Sequence, residues 1–475
     1  MRNRVGRDGC GYLLLMKRLL VIGGGLAGLN AAFQAKRSGA EVRLLETADR
    51  VGGMVYSQRE HGFLGEIGPN TLLSRDPELL QLISDLGLEN EIVAASPAAR
   101  ERFIVRDGIL VPVPMSLTRF LTTSLLSLHA KMRLLGEPWA MKRPANESGE
   151  ESLANFARRR LGAEVYTYCL EPFVAGIFAG DAEKLSVRYA LPRLQSMEDQ
   201  HGSLARAAIH ALRNRRGKGG NARLISFQDG LGALPRALAA KLGDSISLQS
   251  RLISLDRNSA NEWEAAWETN GTAFQETFDG VTLAVPAHAL AKLPLPRELT
   301  TQLAPLSTIE HPPITALLLG YQRNAVGHSL DGFGVLVPAV ENLSILGALF
   351  SSTLFPNRAP DGQVLLTVFV GGARQLELAG LADEPLLEKV KTDLEKLLRV
   401  TGQPVYKKIV RWPRGIPQYN LDHGEKLAVM EKVEQDWVGL TLAGSYRGGV
   451  AVAQCLSTGA AAGLWALNLS PKIAE

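Results

Sequence analysis

The run Leu19-Leu20-Val21-Ile22-Gly23-Gly24-Gly25-Leu26-Ala27-Gly28 constrains this chain more than any other stretch. An apolar strand leads directly into G-x-G-x-x-G and then into a helix, the layout of a dinucleotide cradle. Gly23 lets the chain turn, Gly25 lets the backbone approach a pyrophosphate, and Gly28 lets the helix pack closely on the strand. The helix N-terminus, with Leu26 and Ala27, then faces the anion. The glycines alone also suit an ordinary turn between strand and helix. What that turn does not explain is a second strand, Glu41 to Glu46, which ends in an acid about 20 residues on, where a ribose hydroxyl expects its partner. Glu46 accepts from a free 2′-OH and repels a 2′-phosphate, so FAD and NAD remain and NADP is disfavoured. The continuation Glu46-x3-Arg50-x-Gly52-Gly53 adds an arginine and a second glycine turn where a flavin nucleotide still has its second half to hold, which favours FAD.

The chain has 475 residues, 46% hydrophobic and 21% charged, enough for two or three domains with large cores. A net charge of +4, from 52 basic and 48 acidic residues, is too small to argue nucleic-acid binding, and suits an anionic ligand or an anionic membrane surface. The clusters Arg158-Arg159-Arg160 and Arg213 to Lys218 read as solvated faces. Cys10, Cys169 and Cys455 share no ligand spacing, so neither a disulfide framework nor a metal site is indicated, and a reducing compartment fits. No uncharged apolar run reaches eighteen residues, so no membrane span is expected. Residues 1–15 do not fit the fold and carry no secretory cleavage pattern; Met16 is the expected working start, with a disordered extension before it.

From Met16 to about Glu91 the pattern is strand, glycine turn, helix and strand. Met115 to Trp139 and Leu153 to Tyr168 then carry apolar residues at helical spacing, separated by a loose connector from Pro144 to Gly149. A strand-like pattern returns near Phe227, and runs at Thr315 to Tyr321, Phe333 to Val337, Leu343 to Phe350 and Val364 to Val370 predict an antiparallel sheet under a pocket. Leu386 to Val400 reads as an amphipathic helix. The end mirrors the start: Leu440 to Ser445 is a strand entering a glycine turn, and Val450 to Leu467 is a helix rich in small residues. Those residues suit close helix contact; beside the first motif they also suit a helix whose N-terminus, near Gly448 and Gly449, points at a flavin ring and stabilises its anionic reduced form.

Glu171-Pro172-Phe173-Val174-Ala175-Gly176-Ile177-Phe178-Ala179-Gly180-Asp181 resembles the protoporphyrinogen oxidase family of FAD enzymes. Further matching stretches are Gly68-Pro69-Asn70-Thr71, Arg102 to Gly108, Phe333 to Pro338, Leu349 to Ser352, Phe355-Pro356-Asn357-Arg358-Ala359-Pro360, Phe369 to Gly372, Ile416 to Tyr419 and Ala443 to Val450, so the resemblance spans nearly the whole chain. The sequence departs from the pattern at Gln418 to Gly424 (QYNLDHG), where a Gly-His pair is usual, and at Ser445, where Asn is frequent.

The resemblance implies an α/β fold: a discontinuous Rossmann-like FAD-binding domain (16–95, 223–290, 438–475), a mixed-sheet substrate-binding domain (96–102, 206–222, 291–437) and a helical membrane-associating insertion (103–205). It implies six-electron oxidation of protoporphyrinogen IX to protoporphyrin IX for haem, hydride equivalents passing to flavin N5 and O2, or another acceptor, reoxidising the flavin to give hydrogen peroxide. By the same resemblance Leu336 and Leu349 press the macrocycle, Phe369 stacks on a pyrrole, Arg102 pairs with a propionate, and Gly176, in a turn, lets a backbone carbonyl face a pyrrole N–H. Asn70 is read either as a polar partner near the flavin or as a cap or turn residue. Cofactor contacts are carried over at Gly68, Pro69, Leu252, Gly444, Val450 and Ala451. Cytoplasmic placement with peripheral contact on the inner face of the cell membrane, a homodimer and hand-off to ferrochelatase are compatible with the resemblance; buried helix packing accounts equally for Met115 to Trp139. Coproporphyrinogen as substrate stays open, as does, from another class, a non-catalytic FAD-binding scaffold of the haem pathway.

Overall fold

The computed structural model describes residues 17–141, 143, 149–214 and 223–468. The extension 1–15 with Met16, residues 144–148 of the connector, and the basic cluster beyond Asn214 lie outside the described residues.

The cradle strand Arg18–Ile22 is the centre of a five-stranded sheet in the order Ile246–Ser247, Glu41–Leu45, Arg18–Ile22, Gly280–Leu283, Leu440–Leu442. All neighbouring pairs are parallel, with Leu19 opposite both Val42 and Gly280. Such a sheet must be covered on both faces, which explains the apolar run Leu19 to Ile22 of its central strand. All its carboxyl ends lie together, and chain order reverses at Arg18–Ile22, the place where open parallel sheets bind ligands.

The glycine helix Leu26–Arg37 packs along the closing helix Val452–Ala466. A Cβ on Gly459 or Gly463 would lie 2.1 or 2.4 Å from the carbonyl oxygens of Ala27 and Ala31. The small residues of the closing helix therefore serve close contact with the first helix.

A second, seven-stranded sheet runs in the order Tyr406–Trp412, Ile314–Gln322, Gln363–Gly371, Ile345–Leu349, Gly334–Leu336, Arg102–Arg106, Ile109–Pro112. It is mixed rather than antiparallel, because Gly334–Leu336 and Arg102–Arg106 pair in parallel after a long excursion of the chain. One face buries Leu317, Leu319, Val368 and Val370 under Leu386, Val390, Leu394 and Leu397 of the amphipathic helix Asp383–Leu398. The strand near Phe227, Leu224–Phe227, pairs with Leu72–Leu73 and Ile92–Ala94 in a small sheet of its own.

Between Leu117 and Asn214 the described residues form short helices around an apolar interior that includes Leu153, Phe156 and Val174, into which charges are also buried. Arg160 is buried on Glu137, which also accepts from Ser203 at 2.5 Å, and Arg159 bridges Glu151 and Glu198 at 2.8 Å each. Of the arginine cluster 158–160, only Arg158 is the solvated charge expected. Among the described residues no helix is long and apolar enough to cross a membrane.

Candidate active site

At the carboxyl end of Arg18–Ile22 the chain turns through Gly23, whose φ of +109° and whose absent Cβ, 2.6 Å from the Ala284 oxygen if present, leave no room for another residue. A Cβ on Gly28 would lie 1.9 Å from the Gly23 oxygen, so this glycine lets the helix close on the turn. Gly25 is different: nothing lies within 4 Å of its missing Cβ. That open backbone at a helix N-terminus is shaped for an anion to approach.

Glu46 ends its strand beside this turn, with Oε2 accepting from Gly24 N at 2.7 Å and Oε1 from Ala48 N at 2.8 Å. Oε1 also accepts from Thr47 Oγ1 at 3.3 Å, whereas Oε2 keeps a lone pair for a ribose hydroxyl. Gly52 N donates to Gly24 O at 2.8 Å, which docks the second glycine turn on the first, and the missing Cβ of Gly53 lies 3.3 Å from Gly25 Cα. Arg50 closes that turn through Val51 O at 3.2 Å and Gly53 O at 3.0 Å, its guanidinium 4.6 Å over the Tyr56 ring. Gly68, with Pro69 beside it, packs where a Cβ would meet Met54 O at 2.0 Å. Leu252 is buried against the same region, on the strand whose Ser250 N donates to Glu46 O at 2.8 Å. Gly444, Val450 and Ala451 form the loop that enters the closing helix, Ala451 being its N-cap. These residues fit an extended dinucleotide: an open anion cradle, an acid for the ribose, and a second turn beyond it.

The seven-stranded sheet supplies the second half of the site. Its register sets two cross-strand rows on the face away from the amphipathic helix: Arg102, Gly334, Leu349, Thr367 and, two residues along each strand, Ile104, Leu336, Gly347, Phe369. Period two puts all eight on one face. The four candidates Arg102, Leu336, Leu349 and Phe369 thus share a surface, and Gly334 and Gly347 between them keep it flat. Sequence reading does not reveal these two glycines as part of the face, because only the register does. Arg102 is exposed at the rim, 5.3 Å over the Phe333 ring, with no carboxylate partner among the described residues.

Gly176 requires a correction. It lies in the last turn of a helix, Glu171–Phe178, and not in a turn between elements. Its missing Cβ would sit 2.6 Å from Leu336 Cδ2, so this helix forms a wall against the flat face. Carbonyls of a last helical turn lack intrahelical partners, which leaves the Gly176 carbonyl available by another route than the one expected. Proline at the second position and Ala179, left-handed at φ 48°, bound the helix.

Asn70 donates to Gly68 O at 3.1 Å, a turn contact, and also lines a small cavity with Glu66, Ser351, Arg358 and Thr367. Thr367 belongs to the row of Arg102 and Leu349, so this cavity joins the nucleotide loop to the flat face. Behind it is a buried network that sequence reading missed. Glu66 accepts from Arg358 at 3.2 Å, from Leu231 N at 3.0 Å and from Ser57, while Arg358 also donates to Ser226 at 2.8 Å. Burial pushes the Glu66 carboxyl up and the Arg358 guanidinium down. The arginine of the Phe355 to Pro360 stretch was the available signal: a charge set among apolar residues and prolines.

The chain is similar to known proteins over nearly its whole length. The model of the flavin containing amine oxidoreductase family matches residues 26–462. Protoporphyrinogen oxidase 2, chloroplastic/mitochondrial, of Arabidopsis thaliana is 33% identical over 93% of this chain and 92% of its own length. Coproporphyrinogen III oxidase of Bacillus subtilis is 27% identical, covering 94% and 97%. A crystal structure from Exiguobacterium sp. 255-15 superposes with TM-score 0.78 at 27% identity, covering 94% of this chain and 97% of that one. The fold itself extends further, to a UDP-galactopyranose mutase at TM-score 0.73 and 17% identity over 96% and 97% of the two chains. The chain belongs to the flavin containing amine oxidoreductases, in the protoporphyrinogen oxidase branch.

Proposed function

We propose that this protein oxidises protoporphyrinogen IX to protoporphyrin IX with FAD, in the pathway to haem. The observation that carries the reading is the flat face: two leucines and a phenylalanine spaced by glycines, one exposed arginine at the rim and a helix wall alongside. A large apolar macrocycle with carboxylate arms needs that combination. Bound FAD supplies a two-electron acceptor for hydride, used three times over, with O2 taking the electrons on as hydrogen peroxide.

The chain's own residues bind and orient. Leu336 and Leu349 exclude water from the ring, Phe369 stacks on a pyrrole, and Arg102 clamps a propionate through its planar fork. The Gly176 carbonyl holds a pyrrole N–H. The two rows contain no carboxylate or imidazole, and Glu66 behind them is saturated by Arg358, Leu231 and Ser57, so no side chain there serves as a strong base. Further along the first row, past Leu318, Lys408 is spent on Gln58 at 2.6 Å and Glu60 at 3.3 Å. Arg102 is thus the one free cation in the described residues of these rows, which suits a substrate with two propionates better than one with four and favours protoporphyrinogen over coproporphyrinogen.

Aerobic turnover tests this reading through porphyrin fluorescence and peroxide together: three peroxides per porphyrin support it, and peroxide without porphyrin overturns it. Arg102→Met is expected to raise KM about tenfold, the loss of one charge-assisted pair, while the flavin spectrum stays unchanged.

The division into FAD, substrate and helical domains belongs to the same reading, as does a cytoplasmic protein resting on a membrane. Met115, Leu121, Leu128, Met132, Leu135, Trp139 and Met141 are all exposed along the helical part. Scattered apolar residues are ordinary, whereas a run of exposed ones that includes a tryptophan suits a bilayer interface. In flotation with anionic liposomes the wild type is expected to rise with the vesicles and a Leu128→Glu, Trp139→Glu double variant to remain in solution; wild-type protein left wholly in solution contradicts membrane contact.

A further inference from the structure

The loop from Gly444 to Val450 leaves the parallel sheet and enters the closing helix, with Gly448 at φ +77° and Gly449 at φ +129°. Both values are costly for any other residue, so the loop is irregular backbone that needs outside support. Tyr419, from the stretch after the seven-stranded sheet, provides it. Its hydroxyl donates to Ser445 O at 2.6 Å and accepts from Gly449 N at 2.8 Å. A phenol can do both at once.

The residue before it reaches the other half of the site. Gln418 Nε2 donates to Phe178 O, at the end of the wall helix, at 2.8 Å and to Ile416 O at 2.9 Å. Its Oε1 lies 2.2 Å from where a Cβ of Gly180 would stand, so Gly180 makes room for it. The strap is itself fixed: Ser186 N donates to Tyr419 O at 2.8 Å, and the Tyr419 ring stacks on buried His423 with centroids 4.0 Å apart. Both side chains are buried, and consecutive residues tie the wall that carries Gly176 to the loop that carries Gly449.

We infer that Gln418 and Tyr419 are positioning residues that set the distance between the substrate wall and the flavin loop. The inference rests on the porphyrinogen reading for the identity of the substrate, and on this chain's own hydrogen bonds for the rest. Neither side chain touches the reacting atoms. A misplacement of about 1 Å costs a transfer step about 100-fold, so the strap acts on rate rather than on affinity.

The test uses the FAD-loaded full chain carrying Tyr419→Phe, which keeps the ring stack and removes only the hydroxyl, and separately Gln418→Leu, which frees the wall. Tyr419→Phe is expected to slow anaerobic flavin reduction by protoporphyrinogen about 30- to 100-fold with KM within about twofold of wild type. It is also expected to shift the flavin absorption band and midpoint potential, because the loop at the ring moves. Gln418→Leu is expected to slow reduction by a similar factor and leave the flavin spectrum unchanged. Wild-type reduction rates, spectrum and potential in both variants, with only a lowered melting temperature, overturn the inference. The spectrum and potential require no substrate, so a wild type that porphyrinogen fails to reduce refutes the proposed function while these readouts still decide the strap. Should Tyr419→Phe not fold, the rate of Gln418→Leu decides.

Discussion

Gly25→Val is expected to yield a folded protein that no longer holds FAD, and Gly28→Ala a protein whose fold itself is damaged. The two glycines are three residues apart in one motif, and their surroundings are opposite. Gly25 has ordinary extended backbone, φ −69° and ψ 175°, and open space where a side chain would go, so valine there changes apoprotein stability by less than about 0.5 kcal/mol. What it blocks is the approach of the pyrophosphate. FAD affinity is expected to fall at least about 100-fold, or about 2.7 kcal/mol. At Gly28 even a methyl group would sit 1.9 Å from the Gly23 oxygen, and the helix must leave the strand; about 3 kcal/mol of apoprotein stability is expected to go. Urea unfolding of the apoproteins and fluorescence titration with FAD separate the two effects. Equal FAD affinity in Gly25→Val and wild type contradicts the placement of the pyrophosphate.

Arg358→Met carries the second large effect. Arg358 and Glu66 have 3% and 4% of their side chains exposed, and a methionine of similar length leaves the carboxylate buried without its paired charge, with only the weaker pull of Arg236 remaining. Breaking such a pair costs about 3 to 5 kcal/mol. The pH dependence follows from the direction of the Glu66 shift. Burial already raises its pKa above 4.5, and removal of the arginine, which pulls it down, raises it further. The folded variant then holds a proton that the unfolded chain releases. Stability is full below pH 4.5 and is lost as pH rises through the raised folded value. The melting temperature of Arg358→Met is therefore expected to approach that of wild type at about pH 5 and to fall well below it at pH 8. A gap independent of pH contradicts a Glu66 whose ionised form depends on Arg358. Arg358→Met, Glu66→Leu, with both partners apolar, is expected to recover much of the loss.

How much of this was legible in the sequence depends on how local the cause is. The cradle could be read because strand, turn and helix follow within a dozen residues, and because Gly23 must adopt a positive φ. The closing helix and the sheet strands could be read from periodicity. The parallel pairing of Gly334–Leu336 with Arg102–Arg106 could not, since nothing within either strand encodes a partner some two hundred residues away. The same holds for Glu66 with Arg358 and for Tyr419 with Ser445 and Gly449, contacts made only after the halves of the molecule meet. Gly176 was misplaced for a related reason: two glycines in Val-Ala-Gly-Ile-Phe-Ala-Gly suggest a turn, and the tertiary contact with Leu336 is what favours a glycine inside a helix. The fold alone would not have named a substrate either, because a mutase shares it. The naming came from the flat face and from relatives covering more than nine-tenths of the chain.

In the proposed reaction this flavoprotein takes hydride from a porphyrinogen lying on the Leu336, Leu349 and Phe369 face. The measurement that meets it most directly is anaerobic single-turnover mixing of the FAD-loaded protein with protoporphyrinogen and, separately, coproporphyrinogen, followed at the oxidised flavin band. Rapid bleaching by protoporphyrinogen, faster than by coproporphyrinogen, is the predicted result, and Arg102→Met is expected to narrow the difference. A firmly bound flavin that neither porphyrinogen bleaches contradicts the account.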